Sequence, residues 1–195
     1  MGDYLDPYGL GLSRNFLLNN LKEMIKLKHS DNSGVTLLLG NHDVHYFVED
    51  ANRSSRFDAM IAAKASEIFR DNIGCFQYAY QEDNRIFTHA GIAHKWFVDD
   101  FKGDLTGDIA EQLNHPIESQ LPSLYRVGCC RGGHRGDMGG IFWADISELT
   151  DPLHGFTQIV GHNRVPEIIK KKYADNNKIV FCDSLFNDNY FLIEE

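Results

Sequence analysis

Three short apolar runs in this chain each end in a polar loop that carries a histidine, and this repetition limits the available folds more than any other feature. Val35-Thr36-Leu37-Leu38-Leu39 runs into Gly40-Asn41-His42-Asp43. Arg85 to Thr88 runs into His89-Ala90-Gly91, and Thr157-Gln158-Ile159-Val160 runs into Gly161-His162-Asn163. A short continuous apolar run fits a strand buried on both faces. In α/β sheets, ligand sites gather at the carboxyl ends of such strands. A fourth loop of the same character opens the chain, Gly2-Asp3-Tyr4-Leu5-Asp6, with Pro7 beside it. One buried sheet would bring all four loops to a single edge.

The remaining pattern supports an α/β reading. Ser13 is placed to cap a helix whose apolar positions run from Phe16 and Leu17 through Leu21, Met24 and Ile25 to Lys28, with Asp31-Asn32-Ser33-Gly34 as its stop. Phe57, Met60, Ile61, Ala65, Ile68 and Phe69 predict a second amphipathic helix. Cys75 to Gln81 and Arg85 to Thr88 flank Glu82-Asp83-Asn84 as a hairpin, residues 94–126 read as mainly helical, and 127–140 are glycine-rich. Lys178 to Cys182 and Asn189 to Ile193 predict a closing hairpin, and Lys170-Lys171-Lys172 a solvated charge run. No repeat or linker divides the chain, so residues 1–195 are expected to form one domain.

Composition narrows the function. A net charge of −9 argues against a general nucleic-acid binder, which needs surplus Lys and Arg to neutralise phosphates. No apolar run approaches the roughly 20 residues of a membrane span, and no export signal is visible. Four cysteines without a Cys-x-x-Cys pair suggest a reduced, cytoplasmic setting, and the adjacent Cys129 and Cys130 have no partner spacing that suggests a zinc site.

Asp, Asn and His are oxygen and nitrogen ligands of borderline hardness, suited to Mn, Fe or Zn. Cations so held clamp a phosphoryl group and acidify water. A leaving alkoxide then needs a proton, for which His42 is the candidate general acid. Asp6 is the candidate partner that fixes its tautomer. Each histidine taken singly reads as a core residue; three at strand ends read as a site. His29, His45, His94, His115, His134 and His154 are assigned to surface or structure, and Trp143 to core packing.

Gly2-Asp3-Tyr4-Leu5-Asp6, Gly40-Asn41-His42-Asp43, His89-Ala90-Gly91 and Gly161-His162, in that order, resemble the signature of calcineurin-like metallophosphoesterases. With Gly140-Ile141-Phe142-Trp143-Ala144-Asp145, the resemblance is to the serine/threonine phosphoprotein phosphatases and their bacterial relatives. It implies a β-sandwich flanked by helices and two divalent ions (Mn, Fe or Zn). Asp3 would bridge the ions, while Asn41, His89 and His162 complete the second. Arg131, with Arg126 as second candidate, would grip phosphate.

The chain departs from that pattern. No Asp-x-His motif precedes Gly2-Asp3, which predicts an N-terminally truncated domain without its first strand and with an incomplete first metal site. Pro7 stands where many relatives carry an arginine. The expected activity is hydrolysis of a phosphomonoester on a phosphorylated protein, as in a serine/threonine phosphatase. Alternatives are a dinucleoside polyphosphate or small phosphoester substrate, or a non-catalytic metal-binding module. Neither nucleic acid nor membrane is an expected partner.

Overall fold

Burial on both faces organises the centre of the molecule. The computed structural model describes residues 1–6, 8–30, 34–174 and 177–193. Its main sheet has the order β3 (Ala79–Glu82), β4 (Arg85–Thr88), β5 (Thr157–Arg164), β7 (Lys178–Asp183), β6 (Ile169–Lys172). The β4–β5 and β5–β7 pairings are parallel, and the pairs at both edges are antiparallel. Gln158, Ile159, Val160 and Gly161 are buried in succession on β5, as are Ile179, Val180 and Phe181 on β7. Consecutive burial requires cover on both faces, as for parallel strands joined by crossovers. A separate parallel pair joins β1 (Leu37–Leu38) to β2 (Phe76–Gln77).

The expected β-sandwich is therefore overturned. The described residues form one five-stranded sheet and a two-residue ribbon, because β1 and β2 are too short to build a second packed sheet. Helix α1 (Arg14–Ser30) begins where Ser13 predicts, its Oγ accepting the Phe16 N–H at 3.2 Å. It buries Leu17, Leu21 and Ile25, while Phe16 points outward. Its predicted stop at Asp31-Asn32-Ser33 lies outside the described residues, as does Pro7.

Other elements also differ from the expectation. The second helix, α3 (Ala62–Asp71), starts after Phe57, Met60 and Ile61. The segment 94–126 breaks into a π-helical turn at Trp96–Asp100, α4 (Ile109–Asn114), a 3-10 turn at Glu118–Gln120 and α5 (Leu121–Leu124). Fully buried Trp96, Phe97 and Phe101 dominate there, and each contributes roughly 2–3 kcal/mol of burial, more than short-helix propensity supplies. The closing hairpin pairs β7 with β6, the lysine run, and not with residues 189–193. Lysines on an edge strand deter pairing with other chains.

Candidate functional site

Asp43 is the anchor of the site. It sits in the single-turn helix α2 (Asn41–Val44) after β1, with no exposed surface. Its carboxylate accepts the N–H groups of Asp3 (2.6 Å), Tyr4 (2.9 Å) and Gly40 (2.9 Å). Burial, then the nearby Asp3 charge, pushes its pKa up to about 7. The Gly2-Asp3 loop is thereby fixed against β1, and Asp3 Oδ1 in turn accepts the His42 N–H at 2.9 Å. Gly2 (φ +90°) has a Cβ position only 2.3 Å from Gly40 N, so this approach requires a glycine.

Four predicted ligands meet there. His89 follows β4 directly, and its Nδ1 donates to the Met1 carbonyl at 2.7 Å, so that in the neutral ring Nε2 carries the lone pair. That Nε2 lies 3.0 Å from Asn41 Oδ1, 3.1 Å from His162 Nδ1 and 3.4 Å from Asp3 Oδ2. His162 Nδ1 is also 3.1 Å from Asn41 Oδ1. His162 is not in a loop after the strand, as expected. It stands inside β5, at a register shift between Val160 and Arg164, with φ +59°. The bulge turns its ring to the same point as His89.

These four atoms fit a divalent cation. Edges of about 3.0–3.4 Å are those of a tetrahedral or octahedral shell with bonds of about 2.1 Å. All four are acceptors or can become so, and His162 Nε2 is buried without a partner. Burial raises the Asp3 pKa, but His89, then His42 and His162, win and hold it well below the usual range. Burial, His89 and Arg131 lower that of His162, so its ring is neutral and able to ligate.

His42 lies beside this cluster, and its environment departs from the expectation. Asp6 Oδ2 is 3.6 Å from His42 Nε2, too far for a hydrogen bond. Arg56 stands between them. Its Nε donates to Asp6 Oδ1 (2.8 Å), and its Nη2 lies 2.7 Å from Asp6 Oδ2 and 2.8 Å from His42 Nε2. Since guanidinium only donates, His42 Nε2 is the acceptor and its proton sits on Nδ1, 2.7 Å from Ser54 Oγ. Burial lowers the His42 pKa; Asp3 and Asp6 oppose that, and Arg56 adds to it. Asp3, Asp6 and His42 also offer ligand atoms close together, but the Arg56 charge already occupies that junction.

The cluster floors an open cleft of about 1560 Å³. Arg126 reaches it but is committed, with Nε to the Met138 carbonyl (2.8 Å) and Nη2 to Asp100 (2.6 Å). Arg131 also lines it, braced by Asp145 (2.8 Å) and by the buried Asn163. His134 and Trp143 line it as well, Trp143 edge-on to His162. Three lining residues escape the sequence reading. Arg56 and Arg164 follow no motif. Asp183 ends β7 beside β5, a strand-end acid of the kind sought elsewhere, and burial raises its pKa. Arg164 is sandwiched between Tyr8 (3.9 Å) and Phe186 (3.8 Å) at the rim.

No family model matches the chain, and no curated protein sequence does. Among solved structures, it is similar to a cold-active protein-tyrosine phosphatase of a psychrophilic Shewanella species, at 13% identity and a TM-score of 0.55. A point variant of a cold-active protein tyrosine phosphatase matches at 14% identity and the same TM-score. The alignments cover 96% of this chain and 60% of each of those. The expected kinship with calcineurin-like metallophosphoesterases and their serine/threonine branch is not upheld: no family model supports it, and the matching structures are described as tyrosine phosphatases. Short Gly-Asp and Gly-His turns occur on unrelated folds, so four of them do not by themselves show descent. At these identities, what the chain shares with those phosphatases is its α/β fold.

Proposed function

We propose that this chain hydrolyses aryl phosphomonoesters, phosphotyrosine in particular, with one divalent cation held by Asp3, Asn41, His89 and His162. The observation that carries this reading is the meeting of Asn41 Oδ1, His89 Nε2 and His162 Nδ1 within 3.0–3.1 Å on the floor of an arginine-lined cleft. A divalent ion bound there supplies a Lewis acid for a phosphoryl oxygen and an acidified water. Asp3 contributes the anionic ligand, and the Met1 carbonyl holds His89 in the ligating tautomer. Arg56 and Arg131, held by Asp6 and by Asp145, place positive charge in the cleft for the remaining phosphoryl oxygens.

Two features favour an aryl leaving group. With Arg56 bonded to Nε2, His42 carries its proton toward Ser54 and offers no ready acid to the cleft. A phenolate, with a conjugate acid of pKa about 10, departs without one far more easily than an alkoxide near water's value of about 16. The Tyr8–Arg164–Phe186 stack also gives an aromatic ring a surface at the cleft mouth. The neighbouring folds described as tyrosine phosphatases point the same way. The test compares a phosphotyrosine peptide with its phosphoserine counterpart, with Mn²⁺, Zn²⁺ or Mg²⁺ added in turn. A kcat/KM ratio above about 10² for the tyrosine peptide is expected, near the discrimination a hydrophobic pocket supplies. Equal rates, or no turnover with any ion, would overturn the proposal.

A further inference from the structure

The sequence gives Cys129 and Cys130 no partner; the fold supplies one. We infer that Cys129, Cys130 and Glu148 form a second cation site, for a thiophilic divalent ion such as Zn²⁺ or Cd²⁺, apart from the cleft cluster. The two Sγ atoms are 3.9 Å apart, and Cys129 Sγ is 3.8 Å from Glu148 Oε1. For Zn–S bonds of about 2.3 Å and a Zn–O bond of about 2.1 Å, tetrahedral edges are about 3.8 Å and about 3.6 Å. Both cysteines are free and exposed, so an ion has access without any opening of the fold.

Glu148 has capacity for it. Its carboxylate offers about four lone-pair positions. Three take the N–H groups of Cys130 (3.1 Å), Gly139 (3.0 Å) and Asp145 (3.2 Å), which hold the side chain rigidly. The fourth takes the Cys129 thiol. When that thiol loses its proton to become a ligand, the same lone pair is released to the ion. The loop is equally constrained: a Cβ at Gly133 would lie 1.9 Å from the Val127 carbonyl, and Gly133 N donates to the Gly128 carbonyl at 2.9 Å. The turn Cys129–Arg131 also carries Arg131 to the cleft wall. An ion at its base tethers that arginine's turn to residue 148.

The experiment titrates Cd²⁺ into the reduced full chain with the cleft cluster saturated by Mn²⁺, which has little affinity for thiolate. Ultraviolet thiolate-to-cadmium absorbance is expected to saturate at one ion per chain. Peptide mapping should then show Cys129 and Cys130 protected from alkylation. Cys75→Ala/Cys182→Ala should keep the signal, Cys129→Ser/Cys130→Ser should abolish it, and Glu148→Gln should weaken cadmium at least about 10-fold. Amide exchange over 128–139 should slow on binding in the wild-type chain alone. A signal that persists without Cys129 and Cys130, or none from a chain whose thiols are all titratable, would overturn the site; unchanged exchange would overturn the tether.

Discussion

Gly40→Ala isolates the close approach that seats Asp3 beside His89. Gly40 has an extended backbone, φ −113° and ψ 175°, so alanine pays no conformational penalty there. The added methyl would stand 2.2 Å from Asp3 Oδ1 and 2.7 Å from both Asp3 N and His89 Cε1, where ordinary contact begins near 3.4 Å. The Asp3 carboxylate must therefore retreat by about 1 Å, the shortfall in that contact. Overpacking of this kind costs about 1–3 kcal/mol. Retreat also strains the Asp3–Asp43 and His42–Asp3 hydrogen bonds, worth about 1 kcal/mol each. A loss of about 2–4 kcal/mol should appear in urea unfolding as a midpoint lowered by about 1–2 M with unchanged slope. Isothermal titration should show Mn²⁺ affinity reduced about 10–100-fold. Gly74→Ala is the control: no atom lies within 4 Å of its added methyl, and an effect below about 0.5 kcal/mol is expected. If Gly40→Ala unfolds and binds Mn²⁺ as the wild type does, the packing of Asp3 against β1 is not what holds the cluster.

Three further outcomes follow from the same contacts. Saturating divalent cation at 100 times its Kd should stabilise the chain by about 2.7 kcal/mol, and His89→Ala or His162→Ala should remove the dependence of Tm on that ion. Burial, then His42, lowers the His45 pKa to about 4. The unfolded chain takes up a proton near pH 6.5 that the folded one refuses, so stability should fall from about pH 6.5 to about pH 4 and then level off. His45→Phe should flatten that window in pH-dependent urea titrations. Arg56→Ala leaves the nearly buried Asp6 unpaired and frees His42 Nε2. Steady-state kinetics on an aryl phosphate should show kcat/KM lowered about 10–100-fold.

Much of the cluster is legible in one dimension. An apolar strand followed by Gly-Asn-His, Thr-His or Gly-His states that ligand-type side chains leave a sheet at its carboxyl edge, and the fold brings Asp3, Asn41, His89 and His162 within bonding reach of one point. Arg56 was not legible, because it lies in an irregular Arg-Ser-Ser-Arg stretch, 50 residues from the aspartate it clamps. Nor was the bulge in β5, since a register shift depends on pairing partners that the local sequence does not name. The predicted pairing of 178–182 with 189–193 failed because 189–193 forms no strand, and the partner of β7 is the lysine-bearing segment Ile169–Lys172, read from the sequence as a solvated charge run.

The division has a physical basis. Backbone propensity and alternation of apolar side chains act over a few residues, so the sequence by itself determined the buried strands at 85–88, 157–160 and 178–182, the capped first helix and the residue types at the strand ends. Which of those ends meet at one point, which arginine takes the histidine, and whether two adjacent cysteines find a carboxylate depend on contacts spanning 14 to 121 residues of chain. Only the closed tertiary structure, in which a few ångströms decide between a ligand and a bystander, could settle them.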